Sequence, residues 1–268
     1  QALQLSPPSA EINYWLAYLN KSTPAEKMYY DKAKESGIVS AFPFRTESAI
    51  PLRWFVQHSH DWQPTFVLGL IEGAAGNLGT AKELMLGCAQ QPNNAVFYST
   101  RAKLNAGSPA AVESDLIKAI ELDGQQWRYY KQLTELYNKE GRYSDAAMIA
   151  QTYYQKNPSH YIMGMLLAKT FLHNKQFNEA ARILDKIVVI PYEGATDGRG
   201  LYKETHLMLA VEAMKKNNYK KGISEIALAR QWPERLGVGK PYAEDIDERL
   251  ENFLLYQCYT KMGDKTKS

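Results

Sequence analysis

Cysteine is scarce in this chain. Two residues, Cys88 and Cys258, are too few for a disulfide framework. Neither has a second cysteine or a histidine at ligand spacing, so both read as buried thiols and not as metal ligands. Long hydrophobic runs are missing too. The longest apolar stretches, such as 163–168, fall far short of the roughly 20 residues a membrane helix needs, and no membrane span is expected. An excess of one charge is also missing: 32 basic against 29 acidic side chains leave +3. A dedicated nucleic-acid binder carries a stronger basic bias, so no nucleic-acid partner is expected. Strand signals are nearly absent, since the only β-branched run, 187–190, continues a helical pattern. The opening QALQLSPPSAE has no methionine, no basic start and no apolar signal core, so the chain is expected to be a piece of a longer protein.

What is there is helical periodicity. Apolar residues recur at intervals of three and four, and glycines and prolines interrupt them regularly, which predicts many short helices. The segment 127–158 shows the unit. A first helix carries Tyr130, Leu133, Thr134 and Tyr137; Gly141 breaks it; a second carries Ala146, Ala150 and Tyr153; Pro158 ends it. A shift of 34 residues sets Leu167, Ala168, Phe171, Phe177, Ala180 and Leu184 on Leu133, Thr134, Tyr137, Tyr143, Ala146 and Ala150. The pairs Leu68-Gly69 and Leu209-Ala210, followed by Ala81 and Gly222, extend the pattern in both directions. The segment 14–33 reads as a degenerate unit. These residues resemble the tetratricopeptide repeat, a large residue, then Leu with a small residue, an aromatic, Ala, an aromatic and Pro.

The resemblance implies an all-α fold, a right-handed α-solenoid of helix-turn-helix repeats forming a single domain over 1–268. Irregular units are expected over 10–60, clearer repeats over 62–92, 93–124, 127–158, 161–191 and 201–233, and a terminal helix over 243–262. The physical logic is stacking. Two helices joined by a tight turn bury too little surface alone, small residues let the partner backbone approach, and neighbouring units complete one core. Most of the 18 tyrosines are therefore expected inside. The resemblance further implies a concave groove lined by first helices. Carried over position by position, it takes in Phe66, Phe97, Arg101, Arg128, Lys131 and Lys169. This basic stripe, interleaved with Phe97 and Met165, suits a segment with acidic and apolar side chains. Arg101, Glu135 and Lys169 stand where chaperone-binding members use Asn, which argues against a chaperone tail as the ligand.

The breaks in the period point to a second surface. Ala146 and Ala180 are 34 residues apart but Ala180 and Gly222 are 42, so eight extra residues fall near 191–200. The following connection of the same class, 232–242, is also long, as is 37–45. An additional helix is expected over 47–59. Connections after second helices emerge on one edge, so 191–200 and 232–242 are expected side by side. They bring Tyr192, Asp197, Arg199, Trp232, Lys240 and Tyr242 to one lip, where the aromatics either recognise a partner or fold inward to plug a gap.

Catalytic chemistry does not assemble. His58, His60 and Asp61 form the only histidine cluster, but residues two apart do not share a helix face and the segment reads as a helix end. GVGKP at 237–241 lacks the earlier glycine of a phosphate loop and has Pro241 where Ser or Thr would bind magnesium. Lys215, Lys216, Lys220 and Lys221 flank a solvated turn. No enzyme activity, cofactor or metal is expected. The expected function is a protein–protein interaction scaffold that takes a protein or peptide through the groove and the loop-rich edge. The alternative is a non-catalytic, accessory ligand-binding module of a larger carbohydrate-processing enzyme. It rests on a weaker resemblance of LARQWPERLGVGKPY, YWLAYLN and AFPFRTES to the C-terminal helical region of large multidomain bacterial proteins with an upstream β-rich domain. That domain would then be a partner within the same chain.

Overall fold

The computed structural model describes residues 9–36, 45–88, 92–191 and 197–264. The described residues form fourteen α-helices with a few 3-10 turns and no strand. The chain divides into two compact units, Gln1–Gln125 and Gln126–Ser268.

The first unit holds α1 (Ala10–Leu19), α2 (Pro24–Glu35), α3 (Ala49–His58), α4 (Trp62–Ala74), α5 (Leu78–Gly87), α6 (Ala95–Leu104) and α7 (Pro109–Leu122). Local chemistry sets the starts. Pro24 and Pro109 sit in the first turn, where a missing N–H costs nothing, and Asn94 accepts the Phe97 N–H at 2.9 Å. The helix over 49–58 has no partner in the repeat pattern, and its packing explains why it exists. Phe55 stacks on Tyr30 at 4.5 Å and meets Tyr14 at 5.5 Å, so α3 closes the aromatic core of α1 and α2.

The second unit holds α8 (Trp127–Lys139), α9 (Tyr143–Lys156), α10 (Tyr161–His173), α11 (Phe177–Leu184), α12 (Asp197–Lys215), α13 (Tyr219–Ala229) and α14 (Arg249–Met262). The helix pairs α8–α9, α10–α11 and α12–α13 are joined by tight turns whose key residues are left-handed: Gly141 (φ 73°), Lys175 (φ 59°) and Asn217 (φ 56°). A left-handed residue after a helix satisfies its last carbonyls and reverses the chain. In each case the N–H of the next residue reaches back into the helix, as Arg142 N–H does to the Tyr137 carbonyl at 2.8 Å.

These residues set a common frame. Eight residues before each stands Leu (Leu133, Leu167, Leu209), seven before a small residue (Thr134, Ala168, Ala210), and five after another (Ala146, Ala180, Gly222). All nine are buried. In the first unit Gly76 (φ 88°) plays the same part with Leu68, Gly69 and Ala81. The small residues are small because backbones meet there. A Cβ on Gly69 would lie 3.6 Å from the Ala81 carbonyl, and one on Gly222 would lie 3.6 Å from the Ala210 carbonyl.

One boundary differs from expectation. The eight extra residues do not all form loop, because α12 begins at Asp197 and runs for 19 residues where α8 and α10 have 13. Asp197 and Arg199 are thus first-turn helix residues. Of the long connections, 37–44 and 192–196 lie outside the described residues, and Tyr192 with them.

Candidate partner-binding surfaces

On the first helices of the second unit, Arg128 and Lys169 are exposed and Lys131 is half-buried. Lys131 pairs with Glu135 one turn on at 2.6 Å, and the Arg128 guanidinium sits 4.7 Å from the Trp127 ring. α8 and α10 are in contact, and Asn138 bridges them by donating to the Thr170 hydroxyl at 2.9 Å. Arg128, Lys131 and Lys169 therefore lie on adjacent elements, with Met165 half-buried on the same helix as Lys169. A surface ion pair such as Lys131–Glu135 is weak, so it opens readily to a competing carboxylate.

In the first unit the same positions have another role. Phe66 and Phe97, expected on the groove face, are fully buried, with their rings 5.5 Å apart and Trp62 against both at 6.0 Å. They build the core beneath α4 and α6 and give no surface to a ligand. Arg101 is engaged as well. Its Nε and Nη2 donate to the buried Asp115 carboxylate at 2.9 and 2.6 Å, and it lies 5.1 Å from the Phe97 ring. This forked pair holds α6 to α7. Its acceptor comes from the second helix of the pair, which a reading of first helices alone does not weigh. A groove of about 530 Å³ runs beside the pair, lined by Tyr98, Glu113, Ile117 and Lys118 among others.

The described ends of the two long connections meet, and their side chains are placed differently from expectation. The Val189 N–H donates to the Arg235 carbonyl at 2.8 Å. Gly237 (φ 71°) packs so closely that a Cβ would lie 3.0 Å from the Val189 carbonyl and 3.4 Å from Pro191 Cα. Arg235 reaches over to Asp185 at 2.9 Å. The segments after α11 and α13 therefore run side by side. Arg199, however, is 7% exposed. It donates to the Ala229 carbonyl at 2.8 Å and lies 4.5 Å from the half-buried Trp232 ring. Burial pulls the Arg199 guanidinium down from its ordinary range, and the nearby Glu251 carboxylate opposes that shift. Trp232 and Arg199 fold inward and plug the gap between helices. Asp197, Lys240 and Tyr242 are exposed, Tyr242 at 78%.

The histidine cluster has structural employment. His58 stacks on Trp54 at 4.3 Å, and Asp61 meets the Tyr30 hydroxyl at 2.7 Å and Lys34 at 3.1 Å. Among the described residues no group of three His, Cys, Asp or Glu is arranged to hold a metal ion, and no helix is long and apolar enough to cross a membrane. Burial pushes the Cys258 thiol up, away from the reactive thiolate.

α14 exposes Leu250, Phe253 and Tyr256 on successive turns. Their spacing of three is visible in the sequence, but half of a unfinished repeat gives no reason to treat that side as outer.

Residues 137–189 match the family model described as tetratricopeptide repeat. No curated protein matches the chain. A chain in the structure of Naa15/Naa10 bound to HypK-THB is 11% identical, with a TM-score of 0.57 over 97% of this chain and 35% of its own length. This protein thus spans about a third of that relative. A chain described as Pseudomonas aeruginosa pilF is 17% identical, covering 77% of this chain and 86% of its own, with a TM-score of 0.39. A tetratricopeptide repeat protein from Parabacteroides merdae is 11% identical, covering 93% and 98%, with a TM-score of 0.41. The chain has the fold of an all-α solenoid of tetratricopeptide type, and residues 137–189 are the segment that matches the repeat itself.

Proposed function

We propose that this protein is a non-catalytic protein–protein interaction scaffold that takes a peptide or partner segment in the groove lined by its first helices, on the solvent-facing side of α8 and α10. The observation that carries the reading is the placement of the exposed Arg128 and Lys169 and the half-buried Lys131 on two touching helices whose other sides are committed to the core. Cations fixed on a rigid frame, with Met165 beside them, favour a segment with carboxylates and apolar side chains. A chain of the same fold in the Naa15/Naa10 complex with HypK-THB fits such a role. The test is selection of acidic, apolar-containing peptides from a displayed library, followed by binding to wild type and to Arg128→Glu/Lys131→Glu/Lys169→Glu. Wild type should retain such peptides, more weakly as salt rises, and the triple variant should lose them at an unchanged melting temperature. Equal retention by both would contradict the reading.

A further inference from the structure

The third turn of the second unit breaks the charge pattern of the two before it. Four residues after Gly141 stands Asp145, and four after Lys175 stands Glu179. Each is an acid in the first turn of a second helix, where the helix dipole favours negative charge. Four residues after Asn217 stands Lys221, with Lys220 beside it, and the first turn of α13 holds no acid. Lys215 and Lys216 end α12 on the other side of the same turn. All four lysines are exposed, and residues 213–224 contain no Asp or Glu. None of the four has an acidic partner among the described residues, whereas Arg142 at the first turn pairs with Glu140 at 3.4 Å and Asp145 at 2.8 Å. Lys220 and Lys221 thus stand where the helix disfavours cations, and nothing within the fold neutralises them. Charge that folding does not reward points to a partner outside the fold.

First helices all end on one edge of an up-and-down array. The turns at Lys175 and Asn217 and the end of α14 at Gly263 are therefore neighbours, with α10 touching α12 and α13 touching α14. Lys175 and Lys261, both exposed and also without an acidic partner, extend the patch to either side. All six cations are lysine. The aromatic within the third turn, Tyr219, is half-buried and donates its hydroxyl to Asn217 at 2.8 Å. Point charges on projecting turns give a peptide no groove, a base no free ring to stack on and a single phosphate no forked donor. They match a broad surface that brings many closely spaced anions. We propose that this edge of the second unit docks on a bilayer surface of anionic lipids, with the six lysines towards the headgroups. The contact is peripheral, since no helix among the described residues is long and apolar enough to cross a membrane. The proposal is independent of the surface on α8 and α10.

Co-sedimentation of the full chain with lipid vesicles tests it. Vesicles of phosphatidylcholine with about 30% phosphatidylserine should retain wild type at about 50 mM salt and release it at about 300 mM, and phosphatidylcholine alone should not retain it. Lys220→Glu/Lys221→Glu should weaken binding at least tenfold, with a melting temperature unchanged or raised because the first turn of α13 regains acids. Lys220→Arg/Lys221→Arg should bind as wild type does. Lys82→Glu/Lys103→Glu, the same change of net charge on exposed residues of the first unit, should keep binding within about twofold. Wild type that ignores the anionic vesicles, or equal losses in the two charge reversals, overturns the proposal. Tighter binding to duplex DNA or to polyglutamate at the same concentration of anions also overturns it, by assigning the patch to another polyanion.

Discussion

Lys175 holds φ at 59°, a conformation that disfavours a residue with a Cβ by about 1–2 kcal/mol relative to glycine. Gly141, one repeat earlier, holds the same turn without that cost. Lys175→Gly should therefore raise stability by about 1 kcal/mol in urea unfolding, while Gly141→Ala should lower it by a similar amount. The reverse pattern would mean that the turn is not what sets the repeat frame. Ala180 makes a second demand. It is fully buried where a neighbouring helix approaches, so Ala180→Leu should cost about 1–3 kcal/mol through overpacking. A change within error of zero would contradict the register. Glu72 carries a pH signature. Hydrogen bonds from Arg53, then Asn77, hold its carboxyl below the ordinary value of 4.5, against the opposing effect of burial. The folded pKa is depressed, so this contribution is present above pH 4.5 and disappears as pH falls through the folded value. Glu72→Gln should flatten the acid limb of a stability–pH curve and leave its neutral region similar in shape.

At the scale of elements, helix pairs were readable because Leu followed by a small residue is written into the sequence at Leu68-Gly69, Leu133-Thr134, Leu167-Ala168 and Leu209-Ala210. The turn at Lys175 was not, since a lysine in a left-handed conformation looks like any exposed lysine. Position within the repeat puts Phe66 and Phe97 on a surface, yet Trp62 and the facing ring decide their burial. The edge shows the same division. Spacing placed the segments after α11 and α13 next to each other, but it could not tell that Trp232 lies against Arg199 beneath them. That contact changes the expected effect of mutation. Trp232→Ala should lower the melting temperature, because it uncovers a buried guanidinium and leaves a cavity, where an exposed recognition residue would leave stability unchanged. Gly198→Ala should also destabilise, since the new Cβ would lie 2.7 Å from the Leu236 carbonyl.

At the scale of the whole molecule, the repeat frame turns some side chains into core and leaves others free for a partner. Arg101 is held by Asp115, Arg199 by Ala229 and Arg235 by Asp185, whereas Arg128 and Lys169 keep their charges in solvent. The central claim is that the solvent-facing side of α8 and α10, on the groove lined by first helices, is the binding surface. Its most direct test is a map of backbone amide shifts in the isotopically labelled protein as a selected acidic, apolar-containing peptide is added. Changes centred on Arg128, Lys131, Met165 and Lys169 are expected, lost in the triple charge reversal. Changes confined to the lip around Lys240 and Tyr242, or to the second helices α9 and α11, would contradict it.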